Sequence, residues 1–164
     1  MQNIENDYKQ LVLDLMLAPA KADRTGTGTK SLFGRTIRHD MAAGFPLLNG
    51  KRVYYSQAFH ELLWIAQGRT DLEYLHENGV KYWDADYKRS GRTDNTLGPV
   101  YGKQWRDFEG VDQLFNLVEE IKSNPTSRRL MVSAWAPQDM HDMALPPCHY
   151  AFQVYVNEGH LSLM

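Results

Sequence analysis

Apolar positions at the start of the chain recur at helical spacing. Ile4, Tyr8, Leu11, Val12 and Leu15 form one stripe, which predicts an amphipathic helix ending near Pro19. The pattern then lapses in DRTGTGT, Asp23 to Thr29, where glycines among threonines cannot sit stably in a helix. A polar loop is expected there, followed by a strand in SLFGRTIRH. Helical spacing returns from Ser56 to Gln67, with Phe59, Leu62, Leu63 and Ala66 as the expected core face and Gly68 as the stop. Thr70 with Glu73 predicts a capping box for a short helix closing at Asn78 and Gly79. Another helix is predicted from about Asp112 through Leu114, Leu117, Val118 and Ile121, and Pro125 forbids its continuation.

Beyond Pro125 the period changes to alternation. RRLMVSAW and HYAFQVYV read as strands, with Tyr150, Phe152, Val154 and Val156 on one face of the second. NEGH is the expected turn, and LSLM begins a returning strand that stops at Met164. Helices first and strands late predict an α/β class in which apolar strand faces need cover. The chain shows no internal repeat, low-complexity tract or linker, so one domain over 1–164 is expected. Its last hairpin has hardly begun, which suggests truncation at the C-terminus.

Composition narrows the classes. With 164 residues, 43% hydrophobic and 23% charged, the chain has the makeup of an ordinary globular protein and needs neither disulfide nor structural metal. A formal net charge of -2 argues against a broadly cationic nucleic-acid or membrane binder, and leaves room for a local arginine cluster facing a small anion. No run approaches the roughly 20 apolar residues of a membrane span, and MQNIENDYKQ lacks the basic start and apolar run of a secretory signal. The cytoplasm is the expected compartment, which suits a free thiol.

That thiol is Cys148, the single cysteine, in ALPPCHY. Pro146 and Pro147 stiffen the approach to it. Two readings stand: a positioned nucleophile, or a small buried hydrophobe. Reactivity needs the thiolate, and Arg128, Arg129 and His149 are candidate sources of stabilising charge. SRRL sets two guanidinium groups on opposite faces at the start of a strand, either as solvated charges or as a phosphate fork. Arg24 adds an anion reading to the polar loop. Glu61 among Leu62, Leu63 and Trp64 is either a solvated glutamate or a site residue. Tyr101 and Trp105 in GPVYGKQWR, and Trp83 in YWDADY, are core aromatics or walls of a ligand passage. A metal site is disfavoured, because the six histidines show no close pair at ligand spacing and one cysteine builds no thiolate cage. No nucleophile-elbow motif supports a Ser-His-Asp hydrolase.

DRTGTGT, FHELLW, GPVYGKQWR, SRRLMVSAW and ALPPCH, in this order, resemble thymidylate synthase from about Leu11 to the end of the chain. The resemblance implies an α/β (α+β) fold, a mixed sheet with flanking helices whose outer face packs against a second subunit in a homodimer. It implies methylation of dUMP at C5, with 5,10-methylenetetrahydrofolate supplying carbon and hydride and Cys148 adding to C6. It assigns Arg24, Arg128, Arg129 and His149 to the nucleotide, the pair Arg128 and Arg129 reaching the partner's site. Glu61 would arrange protons and water, Tyr101 would take part in removing the C5 proton, and Trp83 would line the folate side and exclude water.

Two departures fall on that folate side. Tyr54 stands where many members have a histidine, and WDADYKRSGRTDNTLG lacks the second tryptophan often found after the first. Both keep a folate-dependent pyrimidine nucleotide hydroxymethylase as the alternative. An arginine-serine motif, an asparagine that selects uracil over cytosine, and a later histidine and tyrosine do not occur before Met164. A catalytically incomplete piece of a split or truncated enzyme is therefore a further expectation, and the base preference stays open.

Overall fold

The computed structural model describes residues 4–23 and 26–164, and the chain divides into two compact units, Met1–Tyr54 and Tyr55–Met164. In the first, helix α1 spans Ile4–Leu17 with Glu5 and Asp7 in its first turn, where the helix dipole favours negative charge. The Glu5 carboxylate also accepts from the backbone N–H of Asn49 at 3.0 Å and of Gly50 at 2.9 Å. A ribbon of β1, Ala20–Lys21, against β2, Thr29–Lys30, closes the base of the polar loop. The strand expected in SLFGRTIRH does not form. Those residues meet no strand edge among the described residues, Phe33 is fully exposed and Gly34 takes a left-handed φ of 72° that breaks the extended run.

The second unit places five helices before a sheet. They are α2 at Tyr55–Ala66, α3 at Leu72–Glu77, α4 at Asp84–Ser90, α5 at Gly102–Asp107 and α6 at Gln113–Ser123. Strands β3 (Met131–Ser133), β4 (Ala151–Asn157) and β5 (His160–Leu163) form an antiparallel sheet in that order. Val154 is buried between exposed Gln153 and Tyr155, as the alternation requires, whereas Tyr150 lies ahead of the strand and is exposed. Glu158 and Gly159, at φ 49° and 76°, make the two-residue turn from Asn157 to His160.

Helix α2 is rotated relative to the expected face. Phe59, Leu62 and Leu63 are each about half exposed, and Trp64 and Ile65 are buried instead. The indole decides it: Trp64 is 0% exposed, its N–H donates to the Asp71 carbonyl at 2.8 Å, and its ring lies 6.4 Å from that of Trp83. Such a side chain hides more apolar surface than a leucine and needs one polar partner, which it finds here. Because Glu61 precedes Trp64 by one turn, the same rotation brings its carboxylate inward.

The cap of α3 is Asp71, not Thr70. Arg69 grips the Asp71 carboxylate at 2.8 and 2.9 Å and aims it at the Tyr74 N–H, 3.1 Å away. Asp112 caps α6 at the Phe115 N–H, at 2.9 Å, and each such cap contributes about 1 kcal/mol. Helix α5 starts hard against the turn after α2: a Cβ on Gly102 would lie 2.4 Å from the Arg69 carbonyl oxygen, so only glycine fits. The Gln113 amide then joins α5, α6 and β3, donating to the Gln104 carbonyl at 2.6 Å and the Ser133 carbonyl at 2.8 Å.

Candidate active site

Four separated segments of the second unit converge on a cavity of about 360 Å³. Helix α2 contributes Glu61, the stretch before α4 contributes Tyr82 and Trp83, the turn before α5 contributes Tyr101, and the proline-stiffened loop contributes Cys148 and His149.

Cys148 is exposed while Pro147 before it is buried, so the loop is anchored and its thiol is free. This removes the reading of the cysteine as a buried hydrophobe. The Cys148 backbone N–H donates to the Tyr101 phenol oxygen at 2.6 Å. Burial pushes the Tyr101 phenol up from its ordinary pKa, and the N–H it accepts pulls the other way. The His149 ring stacks on Tyr101 with centroids 4.3 Å apart and 15° between planes, and meets the Trp105 ring edge-on at 5.7 Å. Burial lowers the His149 pKa below 6.5, favouring the neutral imidazole.

Across the cavity the Trp83 indole N–H donates to Glu61 Oε1 at 2.6 Å. Tyr82 adjoins the same carboxylate. Its phenol is pushed up by burial first, then by the Glu61 charge and a hydrogen bond to it. Trp83 and Tyr101, 6% and 5% exposed, are thus both core aromatics and cavity walls, and the two readings of them merge.

The remaining candidates lie elsewhere. Arg128 and Arg129 are exposed and line a larger concavity of about 620 Å³, beside Asn116 and Glu120 of α6. Among the described residues neither guanidinium has an ion-pair partner, and neither lines the Cys148 cavity. Tyr54 ends the first unit, with the Arg52 guanidinium 4.8 Å from its ring centroid. Arg24 lies outside the described residues.

Tyr82 and Asp86 are cavity residues that the sequence reading passed over. Tyr82 adjoins Trp83 in YWDADY, and the stretch noted for its missing second tryptophan puts the Asp86 carboxylate on the wall, 2.7 Å from Arg89 Nη1. Among the described residues no group of three or more His, Cys, Asp or Glu can hold a metal ion, and no helix is long and apolar enough to cross a membrane.

An accessible thiol with a phenol, a neutral imidazole and a carboxylate around an aromatic-walled space suits nucleophilic addition to a flat, electron-poor ring. Fold and motifs lead to one family: the family model of thymidylate synthase matches residues 6–164, and the chain belongs to the thymidylate synthase family. The family is folate-dependent, binds dUMP and typically forms dimers.

Proposed function

We propose that this protein methylates dUMP to dTMP with 5,10-methylenetetrahydrofolate as co-substrate, Cys148 being the covalent catalyst. The observation that supports this most is the meeting of Cys148, Tyr101, His149, Glu61 and Trp83 on one cavity.

As thiolate, Cys148 Sγ adds to pyrimidine C6. The C5–C6 electron pair moves through C4 onto O4, and the enolate so formed makes C5 nucleophilic. The folate supplies a one-carbon electrophile to C5 and later a hydride, and the Trp83 ring on the cavity wall is assigned to its pterin. Before the thiolate can leave, C5 must lose its proton. Tyr101 serves this step: the Cys148 N–H on its oxygen stabilises negative charge developing there, and burial keeps the phenol protonated at rest. Loss of that proton with departure of the folate amine leaves a methylene on C5; hydride delivered to this carbon regenerates the C4 enolate, whose collapse expels Sγ from C6 and restores the free thiolate. Glu61, oriented by the Trp83 N–H, orders protons and water near O4, and His149 packs the wall beside the nucleotide.

Arg128 and Arg129, exposed and without an ion-pair partner among the described residues, are assigned to the phosphate of a nucleotide in a partner subunit, with Arg24 as a further phosphate ligand. Met131 and Tyr155, both more than half exposed on the sheet, support a homodimer through that face.

A second reading, a hydroxymethylase, is favoured by the Asp86 carboxylate on the cavity wall, since a polar wall admits water to the one-carbon intermediate. Product analysis separates the two. dTMP from dUMP supports the first, whereas 5-hydroxymethyl-dUMP, or a hydroxymethylated product from dCMP alone, supports the second.

A further inference from the structure

A set of polar contacts outside the cavity fixes the segment that carries the thiol. Arg92, just past α4, holds Asp94 with its fork: Nε donates to Oδ1 at 3.1 Å and Nη2 donates to Oδ2. Nη2 also lies 3.3 Å from Thr96 Oγ1. The other amino group, Nη1, donates to the backbone carbonyl of Asp142 at 2.6 Å. Asp142 ends the 3-10 turn Pro137–Asp142, and the segment leading to Cys148 begins immediately after it.

The two segments, one from Arg92 and one from Asp142, stay in contact from there. The Ala144 N–H donates to the Leu97 carbonyl at 2.9 Å. A Cβ on Gly98 would lie 2.1 Å from the Asp142 oxygen and 3.0 Å from Arg92 Nη1, and Gly98 has a φ of +77°, so glycine is required on both counts. Both segments then run to the site, one to Tyr101 and the other to Cys148, and they meet again at the 2.6 Å hydrogen bond between them. Arg92 thus stands at one end of a ladder whose other end is the nucleophile. The grip on Asp94 is charge-assisted, and Arg92 holds that carboxyl down to about 2.

We propose that Arg92 is a positioning residue for Cys148: its guanidinium, braced on Asp94, fixes the Asp142 carbonyl and keeps the thiol-bearing segment in register with Tyr101. Its consequence for turnover rests on the proposed role of Cys148, while the register itself does not. A lysine keeps the charge but has no fork with which to span Asp94 and Asp142 together.

Amide hydrogen exchange on the full chain tests it. In Arg92→Ala, exchange at the Ala144 and Cys148 amides should accelerate about tenfold or more while α6 stays within about twofold. Arg92→Lys should not restore protection, and added guanidinium ion should restore it to Arg92→Ala. Unchanged exchange at Cys148, or equal acceleration throughout α6, overturns the proposal. If Arg92→Ala does not fold, Asp94→Asn, which keeps the arginine and releases its brace, must show the same local acceleration; exchange unaltered in it overturns the proposal equally. In protein that turns over dUMP, kcat should fall about tenfold with KM for dUMP within about threefold. Full turnover by Cys148→Ser would sink the functional reading alone and leave the exchange result standing. Loss of turnover in Cys148→Ser with unaltered exchange in the Arg92 and Asp94 variants would sink only the role of Arg92.

Discussion

The Cys148 cavity and the Arg128–Arg129 concavity differ in how their polar groups are satisfied. Around Cys148 two pairs hold each other: Tyr101 accepts the Cys148 N–H and Glu61 accepts the Trp83 indole N–H, while the His149 ring stacks on Tyr101, meets Trp105 edge-on and keeps a buried Nε2 with no hydrogen-bond partner among the described residues. Around Arg128 and Arg129 the space is larger, yet among the described residues no carboxylate pairs with either guanidinium. On the proposed function, the small cavity is preorganised for chemistry on a ring and the large one offers its charge to an anion from outside. On that reading the reaction takes place in the smaller of the two spaces.

Substitutions break this contrast at its strongest point first. Cys148→Ser should reduce dTMP formation by about three orders of magnitude or more, with a melting temperature close to that of the parent, because the exposed thiol adds little to packing. Tyr101→Phe should cost about two orders of magnitude in kcat and leave KM for dUMP nearly unchanged, as expected for a group acting in the chemical step. Arg128→Ala and Arg129→Ala should act on binding instead, raising KM for dUMP about tenfold each with a smaller effect on kcat. Mixing the Arg128→Ala, Arg129→Ala double variant with Cys148→Ser should recover part of the activity, since a hybrid dimer then holds one intact shared site. No recovery would mean that the arginines serve their own subunit's cavity.

The smallest effect is in pH. Burial depresses the folded-state pKa of His149, so below its ordinary value of 6.5 the unfolded chain takes up a proton that the folded one refuses. Stability contributed by the neutral ring is present above that value and declines as pH falls through the interval down to the lowered pKa. His149→Gln should flatten this decline in melting temperature as pH falls below about 6.5.

Much of the fold was readable from pattern. The helix from Ile4, the limits of α6 at Asp112 and Pro125, and the turn at Glu158–Gly159 all rest on local rules that tertiary contacts left intact. Helix α2 shows where pattern fails. Phe59, Leu62 and Leu63 outnumber their rivals on paper, but one tryptophan finding both a packed niche and a carbonyl outweighs them. The site divides in the same manner. Cys148 drew attention through its prolines, whereas the Glu61 to Trp83 bond follows from which face of α2 turns inward. The Arg92 to Asp142 contact joins two loops distant in sequence, and no periodicity encodes such a pairing. The strand expected in SLFGRTIRH failed for the same reason, since a strand exists only beside a partner.

The central claim is that a covalent bond forms between Cys148 Sγ and pyrimidine C6. Incubation with 5-fluoro-dUMP and 5,10-methylenetetrahydrofolate tests it most directly, because fluorine at C5 cannot leave as a proton does and the adduct is trapped. In protein that converts dUMP to dTMP, peptide mapping by mass spectrometry should place the nucleotide and folate masses together on the peptide containing Cys148. Conversion of dUMP with that peptide left unmodified, or with the adduct on another residue, would contradict the account.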